Sequence, residues 1–201
     1  MVWIKTVDYA DAGGRLRQLY DRVKGPDNNV DNIMLSHSLR PHTMEGHMAL
    51  YKHVLHHSAN TVPKWFLETV GVWVSLLNAC HYCVEHHFTG LTRLLADPAR
   101  AAAIRTALES GSWDGVFEAR EAAALTYAKA LTERPSEADE AMIGAMRDAG
   151  FGDGEILEIN QVTAYFAYAN RTVLGLGIGL EGDILGLSPN QSDDPDNWTH
   201  S

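Results

Sequence analysis

Cys80 and Cys83 are the only cysteines in 201 residues, and His87 follows the second by about one helical turn. On a helix, positions i, i+3 and i+7 share a face, so these three side chains form one stripe. Two neighbouring thiols can cycle between dithiol and disulfide, moving two electrons without a cofactor. A sulfenic acid formed on one sulfur by a peroxide would be captured by the other before further oxidation. An imidazole one turn on can take and return the proton that separates thiol from thiolate. The same Cys-x-x-Cys spacing suits half of a zinc site or a pair of buried apolar fillers, and spacing alone leaves all three open. With no third cysteine, a metal would have to recruit histidines such as His53, His56 and His57, with His81 or His86.

Helical periodicity recurs along nearly the whole chain, while alternating strand patterns bounded by hairpin turns are scarce. The prediction is an all-α helical bundle. Helices are expected over Gly14 to Lys24, about Ile33 to Ser38, Thr43 to Ser58, and Pro63 to about Leu77. A cysteine-bearing helix then runs to Ala96, and another runs from Asp97-Pro98 to near Gly111. Helices over roughly Phe117 to Thr132 and Ser136 to Ala149 precede a long apolar one capped by Asp153. Asn78 is the expected N-cap of the cysteine helix, which puts both thiols in its first two turns. There, unpaired backbone N–H groups and the helix dipole stabilise a thiolate.

Several other residues carry two readings. Glu68, set among Trp65, Phe66, Leu67 and Val70, is either a partner of His87 or a position on the wet face; burial would raise its pKa. His53 and His57 stand at i, i+4, a spacing able to hold a metal, although polar or interface histidines are the plainer reading. His86 points about 100° away from His87 and reads as a surface or interface residue. Asn170 and Arg171 read as a buried hydrogen-bond network. Gly175, Gly177 and Gly179 follow a helix rather than a strand, so they mark helix packing or a helix end, not a nucleotide loop.

Sixteen basic against 26 acidic residues give a net charge of −10, which argues against nucleic acid and anionic membrane surfaces as partners. The longest strongly apolar stretch, Val70 to Leu77, is far short of the roughly 20 residues a membrane helix needs. The opening MVWIKTVDYADAG lacks a basic region followed by an apolar one, so the cytoplasm is the expected compartment. One helical domain is expected over residues 1–187. The polar tail, 188–201, would be disordered or draped on a neighbouring subunit, with Trp198 as its anchor.

The segment ETVGVWVSLLNACHYCVEHH resembles the signature of the alkyl hydroperoxidase D-like family, within the carboxymuconolactone decarboxylase superfamily. That signature is a glutamate twelve residues before the first cysteine, a Cys-x-x-Cys, and a histidine four residues after the second. Glu68, Cys80, Cys83 and His87 match all four positions. The match is best over about Pro41 to Ala96, within a family-like core expected at about 41–125. The late ANRTVLGLGIGL segment is similar to the peroxidase-related subgroup. The resemblance implies an antioxidant enzyme that reduces a hydroperoxide to an alcohol, with Cys83 attacking the peroxide and Cys80 resolving the sulfenic acid. Glu68 and His87 would be the proton relay. It also implies no metal, haem or flavin, an external dithiol (a lipoyl or thioredoxin-like protein) as reductant, and a homo-oligomer. The dipole alone favours Cys80 as the more acidic thiol, but a histidine partner can outweigh it. One departure stands out: Tyr82 occupies the position where members place a further histidine, and His81 is one position earlier. The competing readings are a carboxymuconolactone decarboxylase-like lyase, whose members generally lack the cysteine pair, and a non-enzymatic metal-binding or redox-sensing module.

Overall fold

The structure is a computed structural model that describes residues 2–188, 194 and 196–199. Among the described residues no strand occurs, and the helices follow the expected order. Short α1 (Gly14–Val23) and α2 (Asn32–Ser36) lead into α3 (Pro41–Tyr51), which passes directly into a π-helical turn, Lys52–His56. Then come α4 (Lys64–Leu77), α5 (His81–Leu95) and α6 (Pro98–Ser110). The chain ends with α7 (Ala119–Glu133), α8 (Glu140–Asp148) and the long α9 (Asp153–Leu176). None of the described helices is long and apolar enough to cross a membrane.

Helix α4 is the axis of the bundle. Every residue from Phe66 to Ser75 is buried, because α5, α7 and α9 close around it. Such a helix is apolar on all sides rather than along one stripe. Its approach to α9 depends on Gly71, where a Cβ would stand 2.2 Å from the Phe166 ring. Deep in this apolar environment, Glu68 is the one ionisable side chain of the buried run.

Three boundaries depart from expectation, each for a local reason. Asn78 does not cap the cysteine helix; it terminates α4, and its amide donates to Asn170 Oδ1 at 3.0 Å. Ala79 follows in the left-handed region (φ 53°), and Cys80 takes the N-cap position of α5. The helix predicted over Thr43 to Ser58 is an α-helix followed by a π turn. Asp153 lies inside the first turn of α9, paired with Arg147, while Gly152 precedes it as the cap. The tail expected at 188–201 lies partly outside the described residues. Trp198 is buried against its own chain, with the Arg22 guanidinium 3.7 Å above its ring, so it is not an anchor on another subunit.

Candidate active site

The tight α4–α5 corner fixes the thiols. Cys80 N–H donates back to Ser75 O at 2.8 Å, which folds the start of α5 against the end of α4. Both cysteines are reduced and buried, and their sulfurs are 3.2 Å apart, within hydrogen-bonding distance. The fully buried Asn170 of α9 bonds Ser75 Oγ and Asn78, and its amide also stabilises charge on either sulfur. The buried network expected at Asn170 is therefore part of the thiol site. Arg171 is not; it is exposed and donates to Ala167 O.

A thiol pair this close titrates as a unit, one sulfur ionising at the expense of the other. The hydrogen bond from Cys83 lowers Cys80. The same bond, together with burial and the Cys80 charge, raises Cys83 well above the ordinary range. Of the two sulfurs Cys80 therefore ionises more readily, as the dipole argument anticipates. Access favours the other sulfur. Cys83 lines a cavity of about 50 Å³, with Tyr51, His47, Tyr165 and His87 around it, whereas Cys80 is not in its wall. At a liquid share of roughly 30 Å³ each, that volume holds about two water molecules. None of its described lining residues is a lysine or arginine.

His87 lies on α5 one turn after Cys83 and shares the cavity with it. Its Nδ1 is 2.7 Å from Glu68 Oε2, which leaves Nε2 as the ring's second nitrogen. Glu68 is only 1% exposed and accepts a second bond on Oε1, from His56 Nε2 at 2.8 Å. Burial alone would raise this carboxyl. Electrostatic attraction to the His87 ring and the hydrogen bonds from His56 and His87 outweigh burial and hold it at about 2. The elevated pKa expected for a buried Glu68 is therefore corrected: two imidazoles compensate the burial, and the group is a permanent anion at neutral pH.

The histidine-rich segment contributes through His56, which spacing did not single out. Of the i, i+4 pair, His53 is exposed and bonds Ala49 O, while His57 accepts from Ala59 N–H; their rings stack on each other. Among the described residues no group of three or more His, Cys, Asp or Glu is arranged to hold a metal ion. His86 is not a surface residue. Its Nε2 lies 3.2 Å from Asp183 Oδ2, and the same carboxylate takes the Tyr82 hydroxyl and the backbone N–H of Asn32. Asp183 belongs to the segment after α9, whose Gly186 to Ser188 stretch forms one wall of the cavity. His81, by contrast, points to solvent beside Glu85.

Solved structures share this architecture. A peroxidase-related protein from Ralstonia eutropha JMP134, described as an alkylhydroperoxidase AhpD core, aligns with a TM-score of 0.74 at 23% identity, over 92% of this chain and 97% of that chain. A peroxidase-related protein from Silicibacter sp. TM1040 aligns at 0.66 and 25% identity, over 75% and 76% of the two chains. The debrominase Bmp8, in a cysteine-to-alanine form bound to 2,3,4-tribromopyrrole, aligns at 0.70 and 17% identity, over 89% and 91%. No protein-family model and no curated protein matches the chain. The chain carries the all-helical alkylhydroperoxidase D-like fold of these peroxidase-related proteins, the family that the spacing of Glu68, Cys80, Cys83 and His87 resembles.

Proposed function

We propose that this protein is a thiol peroxidase that reduces small, uncharged hydroperoxides through a Cys80–Cys83 dithiol–disulfide cycle. The observation that carries the reading is a cavity holding Cys83 and His87 together, with His87 fixed by the buried Glu68. His87 Nε2 takes the Cys83 proton, and the thiolate attacks the terminal peroxide oxygen. The O–O bond breaks, and the alkoxide leaves as alcohol after receiving a proton from His87. Cys83 is then a sulfenic acid. Cys80, 3.2 Å away, displaces its hydroxyl as water and closes the disulfide. An external dithiol, of the lipoyl or thioredoxin-like class, reduces that disulfide and becomes oxidised itself. The cavity size and the lack of lysine or arginine among its described lining residues favour compact neutral peroxides over carboxylate-bearing ones.

Thiol titration before and after one equivalent of hydrogen peroxide or tert-butyl hydroperoxide tests the cycle. Wild type should lose two thiols per chain. Cys83→Ser should keep its single thiol, whereas Cys80→Ser should lose one and accumulate a dimedone-reactive sulfenic acid. A wild-type protein whose thiols survive this treatment is not a peroxidase of this kind.

A further inference from the structure

Nothing in the four-residue signature calls for His56, yet it makes one of the two hydrogen bonds that hold Glu68. Its ring is 5% exposed. It is enclosed by Glu68, the Tyr51 ring edge-on at 4.8 Å between centroids, Lys52 on its own turn, and the His87 side of the site. Its second nitrogen, Nδ1, is buried without a hydrogen-bond partner among the described residues. A proton on that nitrogen would be a buried donor with nothing to receive it. Glu68, an anion gripped on both oxygens, requires a donor at Nε2. Both constraints select one species: neutral imidazole with its single proton on Nε2.

We infer that His56 is a positioning residue that, by staying neutral and donating through Nε2, locks Glu68 so that the carboxylate accepts from His87 Nδ1 and leaves His87 Nε2 facing the cavity as the base. The inference rests on the peroxidase reading only for what the base acts on; the lock itself is a property of three side chains. Direction supports it: burial lowers His56, and Glu68 offsets that only in part, with Lys52 and His87 adding to the depression. Without this donor, Glu68 Oε1 is a buried charge missing one bond. The carboxylate then turns its full demand on His87 Nδ1, which stabilises the charged ring and moves formation of the neutral His87 base to higher pH.

The test follows Cys83 reactivity with iodoacetamide against pH, the modified cysteine being located by mass spectrometry, in wild type, His56→Leu and His56→Gln. Gln places an amide donor near the Nε2 position and cannot titrate. His56→Leu should move the acid limb of the profile to higher pH and slow the neutral-pH rate about tenfold, the cost of one lost charge-assisted bond. His56→Gln should restore both. A limb that stays put in the Leu variant, or a shift that Gln does not reverse, overturns the inference; loss of packing alone would lower stability in both variants without moving the limb. Nitrogen-15 NMR of the histidines in wild type gives a second reading that needs no variant. His56 should remain neutral and protonated at Nε2 at neutral pH and at pH values where an ordinary exposed imidazole is already charged, and a charged ring or a proton on Nδ1 would overturn the assignment. Neither measurement uses a peroxide, so absence of peroxidase activity and failure of the lock are told apart.

Discussion

Two buried carboxylates stand behind one cavity, each bound to one of the two consecutive histidines, His86 and His87, that line it. Glu68 belongs to the central helix and is held by imidazoles on both oxygens, from His56 and His87. Asp183 belongs to the segment after α9 and is held by His86, the Tyr82 hydroxyl and the backbone N–H of Asn32. The first sits inside the best-packed element of the fold and ends on the histidine beside Cys83. The second ties the C-terminal segment to α2 and α5, so its bonds cover the cavity instead of serving the thiol. In the proposed function the same chemical pair does proton work where its carboxylate is on a rigid helix, and fastening work where it is on a loop.

The contrast is sharpened most by Glu68→Gln. A carboxyl shifted from its ordinary 4.5 to about 2 contributes about 3 kcal/mol at pH 7. Because the folded pKa is the lower one, that contribution is complete above about 4.5 and disappears as pH falls toward about 2. Glu68→Gln should therefore be about 3 kcal/mol less stable in urea at pH 7, with the gap to wild type narrowing below about pH 4.5. Its peroxide reduction should fall about 100-fold, since the base loses its partner. Equal stability at neutral pH would mean the carboxylate is not the compensated anion described above.

Asp183→Asn comes next. Its amide cannot accept all three bonds, so about 2 kcal/mol should be lost, with faster hydrogen exchange at 183–188 and easier alkylation of Cys83. Unchanged exchange in that segment would show that Asp183 is not its fastening. Cys80→Ser should do less to stability but should move Cys83 alkylation to lower pH, because the raised Cys83 loses its competing thiolate. A shift to higher pH would reverse the assignment of the more readily ionised sulfur. The smallest effect is expected for His53→Ala with His57→Ala: under about 0.5 kcal/mol, with an unaltered thiol pH profile. Anything larger would return these two stacked rings to the site.

Cys80, Cys83 and His87 were legible in the sequence because they lie on or at the start of one regular helix, where offsets along the chain translate into a shared face, whereas Glu68, on the preceding helix, was legible only through the family resemblance. The helix order was legible for the same reason. Asn78 misled because an asparagine before a helix reads as a cap, whereas here it ends the preceding helix and spends its amide on Asn170. Asp183 and the cover it holds were not readable, since a loop carries no periodicity and its partners lie about 100 or more positions earlier. Trp198 read as an anchor for a neighbour because an aromatic in a polar tail has no visible partner; Arg22, the residue that stacks on it, lies on the first helix, at the other end of the chain.

The π turn at Lys52–His56 has an evolutionary implication. A π turn accommodates one extra residue and rotates everything near it by about 100° relative to an α-helix. His56 closes this turn with its ring inward on Glu68, while His53 is exposed and His57 half-buried. Deleting a single residue there would change the register of His56 against Glu68 while leaving every signature position intact. Relatives that differ by one residue in length at this point would then separate into those with a two-histidine carboxylate and those with one, a division that comparison of the signature positions alone would never reveal.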